Sequence, residues 1–249
     1  MPGKIKAIIF DAYGTLFDAH SVVQGAGNGI SGDIEALSRL WRQKQLESTW
    51  LRALMERYED FWQVTEAALR SAIRQLSIEV TDPELNQLMQ AYLVPAAFAD
   101  AIIALDVLKG VPLAILSNGS PKMLDSAVRN SRLESYFAEI ISVDRVKTYK
   151  PSPRVYALGP ELLRVPVAEI LFVSSNSWDA AGAKAFGYRV CWCNRSEAKM
   201  DNWGFDPDFM VSRLDQIAEY LLQSDAESAS DEANDNFTNL TTNVTGGAA

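Results

Sequence analysis

Histidine is almost absent from this 249-residue chain, in which His20 is the only one. That scarcity removes metal sites built on several imidazoles and turns expectation away from Ser-His-Asp and Cys-His catalysis. An enzyme with this sequence has to work with carboxylate, lysine, arginine and hydroxyl groups. Cysteine is nearly as scarce. Cys191 and Cys193 stand in VCWC, one residue apart on a strand-like run, a spacing that fits neither a CxxC redox pair nor zinc and reads as two buried thiols. There is no basic block, and the net charge is −9. Nucleic acid and membrane are therefore not expected partners, and an anionic substrate has to be held by a local positive cluster. No apolar run approaches the roughly 20 residues of a membrane span. The start MPGKIKAIIFDAYG lacks an apolar stretch followed by a small-residue cleavage site, so a cytoplasmic protein is expected.

What is present is an ordinary globular composition, 48% apolar, enough for a packed core without disulfides. From residue 112 onward, short apolar or β-branched runs alternate with helical stretches: PLAIL (112–116), AEIIS (138–142), EILFV (169–173), YRVCW (188–192) and DFMV (208–211). With KAIIF near the start, this predicts an α/β fold, a Rossmann-like, doubly wound parallel sheet with helices on both faces. Residues 18–98 have no strand-like run and carry apolar residues at three- and four-residue intervals, Leu37, Leu40, Trp41, Leu46, Trp50, Leu54, Tyr58, Phe61 and Trp62 among them. They read as an inserted helical cap over the carboxyl ends of the strands, leaving 1–17 and 99–222 as the core. The glycine-rich GAGNGISGD (25–33) follows no strand and reads as a flexible connection rather than a phosphate cradle. Residues 223–249 are poor in apolar side chains and are expected to be disordered; three N-x-T triplets there, at Asn236, Asn239 and Asn243, read as chance.

In a doubly wound sheet, residues at the carboxyl ends of neighbouring strands meet in space. The first strand delivers Asp11, Tyr13, Gly14 and Thr15. The next core strand delivers Ser117-Asn118-Gly119, followed by Ser120-Pro121, a helix start whose free N–H groups favour an anion. Lys150 precedes Pro151, which biases it to extended geometry, so it closes a loop and reaches inward. A later strand delivers SSNSWD, Ser174 to Asp179, ahead of a helix that stops at Gly187. Taken singly, each is best read as a turn residue, a cap or a solvated charge. Two carboxylates, a lysine and several hydroxyls at successive strand ends instead predict a catalytic pocket.

DAYGT, SNG, YKP and SSNSWD, in this order, resemble the four motifs of the haloacid dehalogenase superfamily, and LWRQKQLESTWLRALMERYEDFW resembles the helical cap of the L-2-haloacid dehalogenases. The resemblance covers about residues 10–220. Superfamily phosphatases carry DxDxT and a late acidic pair that helps to hold Mg²⁺. Here Tyr13 replaces the second Asp, and Ser175 replaces the first acidic residue of the pair. Halide leaves as a stable anion and needs neither a general acid nor a metal, so no cofactor is expected. The resemblance implies hydrolysis of short L-2-haloalkanoic acids to D-2-hydroxy acids with inversion, through an ester on the nucleophile Asp11. It assigns Lys150 to a place between Asp11 and Asp179, and the hydrolytic water to Asp179 with Asn176. Thr15, Ser174 and Tyr156 become supporting hydrogen-bonding residues, and Ser117 holds the substrate carboxylate. Arg42 receives the halide with Asn118 and Trp178, while Tyr13, Leu46, Phe61 and Trp178 wall the pocket. For Phe61 and Leu46 general packing competes, and for Arg42 the alternative is a solvated helix charge. A homodimer is implied, with the aromatic-rich stretch 50–62 as a surface for it. The sequence departs from the family at Phe98-Ala99-Asp100, where Phe-Pro-Asp is usual, and in the slightly short LDVLKGVPLAIL that follows. Two other readings remain, a Mg²⁺-dependent phosphatase and a non-catalytic interaction module on the same scaffold.

Overall fold

The structure is a computed structural model that describes residues 4–18, 23, 25, 27 and 29–222. His20, part of the glycine-rich stretch, the tail 223–249 and its triplets lie outside the described residues. Six parallel strands form the central sheet in the order β5-β4-β1-β6-β7-β8. They are β1 (Ala7–Phe10), β4 (Leu113–Ser117), β5 (Phe137–Ser142), β6 (Ile170–Ser174), β7 (Arg189–Cys193) and β8 (Phe209–Val211). Each of the runs read from sequence forms a strand, displaced by about one residue, the usual uncertainty of element ends. β1 is central because all four of its side chains, AIIF, are buried on both faces. Its Ile9 pairs with Ala114 of β4 on one side and with Phe172 of β6 on the other. From β1 the chain builds outward through β4 and β5, then returns to add β6, β7 and β8. The direction of winding thus reverses beside β1, which leaves a crevice at its carboxyl end.

Three helices, α1 (Ile34–Leu54), α2 (Phe61–Leu76) and α3 (Asp82–Ala91), precede the return to the sheet among the described residues. Each begins at a side-chain cap: Asp33 accepts from Ala36 N at 2.8 Å, Asp60 from Trp62 N at 2.8 Å, and Thr81 forms a capping box with Glu84. α1 and α2 pack through Trp41, whose indole N–H donates to the Thr65 carbonyl at 2.8 Å.

One expectation needs correction. The stretch 18–98 is not free of strand. β2 (Phe17–Asp18) and β3 (Ala96–Ala97) pair antiparallel, Phe17 opposite Ala97 and Asp18 opposite Ala96, where the chain leaves the sheet and returns. Two-residue strands are too short to show an alternating pattern, so nothing in the sequence marks them.

The departure at Ala99 is accommodated. Phe98 has φ −63° and ψ 140°, the extended geometry a following proline would impose, and Ala99 opens α4 (Ala99–Leu108) at the position where proline is favoured. Asp100 then ties the junction: its Oδ2 accepts from Arg195 at 2.8 Å and from Leu214 N at 2.8 Å. The same guanidinium donates to Thr15 O at 2.9 Å and lies 4.0 Å from the Phe98 ring centroid. Cys191 and Cys193 are buried free thiols, as their spacing suggested.

α5 (Pro121–Asn130), α6 (Pro153–Tyr156), α7 (Leu158–Leu163) and α8 (Ser177–Phe186) complete the helices the site draws on. Gly159 of α7 sets a close approach to the sheet. A Cβ there would meet Tyr188 Oη at 2.2 Å and Ile9 Cδ1 at 2.5 Å. Gly159→Ala is expected to destabilise the fold by about 1–3 kcal/mol, the range for overpacking, read as a lower urea midpoint with an unchanged m-value.

Candidate active site

Asp11 follows β1 directly, and its backbone N–H continues the ladder to Val173 O at 2.9 Å, so the strand fixes where its carboxylate emerges. The side chain is 9% exposed. Three donors converge on it. Lys150 Nζ lies 3.1 Å from Oδ1, Asn176 Nδ2 donates to Oδ2 at 2.8 Å, and Thr15 Oγ1 lies 3.3 Å from the same oxygen. Thr15 is itself oriented, because its Oγ1 accepts from Ser175 N at 2.8 Å and its proton is left for Asp11.

Lys150 is fully buried and joins two carboxylates, with Asp179 Oδ2 2.8 Å from Nζ. Below it the Phe172 ring centroid is 5.0 Å from the ammonium. Burial alone would lower the lysine pKa, but Asp11 and Asp179 together outweigh it, and Lys150 is held above its ordinary value. For Asp179 burial acts the other way and raises the carboxyl, with Lys150 opposing it. Tyr156 satisfies the second Asp179 oxygen, donating to Oδ1 at 2.8 Å, and burial pushes its phenol well above the usual range. Both Asp179 oxygens are thus engaged and the side chain is sealed, so it reaches the reacting region through Lys150. Asn176 is the one that stands beside Asp11.

On the opposite side of the crevice, Ser117 and Asn118 are both buried. Ser117 Oγ accepts from Gly119 N at 3.1 Å, which leaves its O–H free to donate. Asn118 Oδ1 accepts from Lys150 N at 3.0 Å, so its NH₂ end is turned away as a donor. Ser174 is buried at the end of β6, its hydroxyl accepting from Asn176 N at 3.1 Å, which steadies the loop that aims Asn176.

The residues from α1 and α2 form the roof. Tyr13 is packed 6.4 Å from Phe61 and 6.1 Å from Tyr92, between ring centroids. Burial raises its phenol pKa far above the ordinary value, with the Arg42 charge opposing, and its hydroxyl is a buried donor without a hydrogen-bond partner. Arg42 is half-buried and donates to Gln45 Oε1 at 2.7 Å. Leu46, four positions further along α1 and half-buried, shares its face. Phe61 is buried. Trp178 stands apart from this roof, packed edge-on against Trp50 at 5.6 Å. The two tryptophans line outer apolar grooves of about 640 and 430 Å³ whose walls include neither Asp11 nor Asn118.

The aromatic stretch 50–62 faces inward more than the sequence suggested. Tyr58 donates to Asp144 at 2.9 Å, Tyr149 donates to Glu59 O at 2.5 Å, and the Tyr58 and Tyr149 rings are 5.1 Å apart. It is the aliphatic end of α1 that is exposed, at Leu51, Leu54 and Met55. This lock between the α1–α2 loop and the segment leading to Lys150 was not read from sequence, because a tyrosine at helical spacing looks like any core residue. Gly182 was missed as well: a Cβ there would lie 2.6 Å from Tyr156 Oη, so only glycine lets that phenol reach Asp179. Arg195 gave no signal either, since an arginine after a strand looks like a solvated charge.

The donor set does not suit a divalent cation. An ammonium already occupies the space between Asp11 and Asp179, and among the described residues no group of three or more His, Cys, Asp or Glu side chains is arranged to hold a metal ion.

The chain is similar to known proteins in both sequence and fold. Residues 5–187 match the family model of haloacid dehalogenase-like hydrolases. The chain is 48% identical over 220 residues to the (S)-2-haloacid dehalogenase H-109 of Pseudomonas putida, covering 88% of this chain and 98% of that protein. It is 46% identical over 217 residues to the (S)-2-haloacid dehalogenase of Pseudomonas sp. strain YL, with coverages of 86% and 94%. The L-2-haloacid dehalogenase of Xanthobacter autotrophicus, solved with chloropropionic acid covalently bound, superposes with a TM-score of 0.81 at 40% identity, over 86% of this chain and 97% of that one. This chain belongs to the haloacid dehalogenase-like hydrolases and, within them, to the L-2-haloacid dehalogenase family.

Proposed function

We propose that the chain hydrolyses the carbon–halogen bond of short L-2-haloalkanoic acids to D-2-hydroxy acids, with 1–17 and 99–222 as the catalytic core and 18–98 as its cap. The observation that carries this reading is the nearly sealed Asp11 carboxylate with the Lys150 ammonium 3.1 Å away and the acid and metal-holding positions of phosphatases replaced by Tyr13 and Ser175. An Asp11 oxygen attacks C2 from the face opposite the halogen, the C–X electron pair leaves with the halide, and the carbon inverts. The substrate carboxylate is met by Ser117 and the backbone amides of the first loop. The halide is received by Arg42 with the Asn118 amide, while Trp178, which the resemblance implied as a third partner, packs against Trp50 away from them. Tyr13, Leu46 and Phe61 keep water from the displacement, where it would shield the nucleophile.

Water then adds to the Asp11 carboxyl carbon. Each Asp11 oxygen has its own donors, Lys150 on Oδ1 and Asn176 with Thr15 on Oδ2. Whichever oxygen forms the ester, the other remains facing donors that stabilise the developing oxyanion. The Asp11–C2 oxygen departs with the product and takes up a proton.

Halide release from L-2-chloropropionate is expected to persist in EDTA and to be lost in Asp11→Asn. A single turnover in H₂¹⁸O is expected to give unlabelled hydroxy acid, and label in the product would indicate direct attack by water. Phosphate release from p-nitrophenyl phosphate with Mg²⁺, without halide release, would favour the phosphatase reading instead.

The pH dependence follows from the two buried partners. Lys150 must stay protonated and its pKa is raised, so kcat/KM is expected to hold as pH rises and to fall only above the ordinary lysine value of 10.5. Asp179 must stay ionised and its pKa is also raised, so the acid limb is expected above the ordinary 3.8. An alkaline limb well below 10.5 would contradict this charge assignment.

We also propose a homodimer joined through the exposed aliphatic end of α1, where Leu54 is 82% exposed. Light scattering after size exclusion is expected to give twice the 27.5 kDa chain mass, and Leu54→Glu to shift it to the single mass. A single mass for the unaltered protein would refute it.

A further inference from the structure

Arg42 reaches its place on a long flexible side chain, and the structure shows what aims it. Gln45, one turn further along α1, is fully buried. An unpaired buried amide costs about 1–3 kcal/mol, so both of its ends are expected to be used, and they are. Its Nε2 donates to Thr65 Oγ1 at 2.7 Å, and its Oε1 accepts from Arg42 at 2.7 Å.

The order of this chain is fixed by its far end. Thr65 donates its one hydroxyl proton to Phe61 O at 2.6 Å, a carbonyl that can only accept. Toward Gln45 the Thr65 oxygen is therefore left as an acceptor, which requires the NH₂ side of the amide to face it. The amide cannot flip without placing oxygen against oxygen, so Oε1 is turned to Arg42. Thr65 is itself anchored to α1 by Trp41, through the hydrogen bond to its carbonyl at 2.8 Å. Gln45 also borders the Tyr92 phenol, and the Arg42 charge bears on both Tyr92 and Tyr13. The guanidinium is thereby held toward the loop that carries Asp11.

We propose that Gln45 and Thr65 are positioning residues for Arg42, setting the guanidinium that receives the departing halide. The inference rests on the reading of Arg42 as the halide-receiving group. A guanidinium aimed by a fixed carbonyl oxygen is preorganised. One released to several rotamers has to be ordered again at each turnover, and small misplacements of such groups are costly.

The test uses Thr65→Val, which keeps the shape but frees the amide to flip, and Gln45→Met, which keeps the length but removes the amide. Turnover of L-2-chloropropionate and L-2-bromopropionate is compared with inhibition by added bromide. Chloride is the poorer leaving group and depends more on the cation. Chloropropionate turnover is expected to fall about tenfold or more in either variant, bromopropionate turnover less, and bromide inhibition to weaken. Equal losses on both substrates with unchanged bromide inhibition would reveal general loosening and overturn the proposal, as would unaltered kinetics in both variants. Should Thr65→Val fail to fold, Gln45→Met decides alone. No halide release by the unaltered enzyme would instead overturn the reading of the site, and this inference with it.

Discussion

The whole arrangement depends on one buried ammonium. Lys150 Nζ stands 3.1 Å from Asp11 and 2.8 Å from Asp179, and both carboxylates are nearly or fully shut off from water. Two carboxylates so close and so dry would repel each other without a positive charge between them. A buried charge triad adds little net stability, since desolvation offsets most of the attraction, but deleting one partner leaves the others uncompensated. The surrounding structure is therefore organised to keep Lys150 in place. Asn118 holds its backbone N–H, Tyr156 holds the far carboxylate, and Phe172 closes the floor. The ammonium supplies fixed positive charge beside the Asp11 carboxylate.

Keeping that charge dry requires a roof, and the roof is fastened to the same loop. Tyr149, next to Lys150, donates to Glu59 O, while Tyr58 donates to Asp144. The α1–α2 loop is thereby tied to the segment that carries Lys150. Closure over the pocket and placement of Lys150 are consequently coupled through adjacent residues. At the opposite end, Arg195 binds the carbonyl of Thr15 and the carboxylate of Asp100 together, so the chain's exit from the sheet and its return are fixed by one guanidinium. The strap at each end ties the helical segment between β2 and β3 to the part of the chain that carries Asp11.

Much of this was legible in the sequence, and the reason is topological. The interior strands β1, β4, β6 and β7 are buried on both faces and so are continuous apolar runs, the edge strands β5 and β8 were short apolar or β-branched runs, and a doubly wound sheet brings the residues that follow the strands to one edge. Asp11, Lys150, Asp179 and Asn176, separated by up to 168 positions between the first and third, could be grouped on that basis and meet within hydrogen-bonding distance of one another or of a shared partner. What could not be read was anything set by side-chain direction. Gln45, Thr65, Tyr58 and Arg195 have ordinary helical or loop spacings, and only coordinates reveal which way their donors point. The ribbon of β2 and β3 was hidden for another reason, having too few residues for any pattern.

Asn176 and Asp179 stand three positions apart and differ in what they touch. Both lie in the same short stretch at the start of α8, and the family resemblance implies that both position the hydrolytic water. On the helix, a separation of three residues turns them to different depths. Asn176 caps the amino end and faces Asp11, whereas Asp179, one turn in, is drawn below the floor to Lys150 and Tyr156. With an ammonium on one oxygen and a phenol on the other, Asp179 is well placed to fix that ammonium. The difference is set by helix depth: the amide at the surface of the crevice addresses the Asp11 carboxylate, and the acid beneath it holds the ammonium that stands beside that carboxylate.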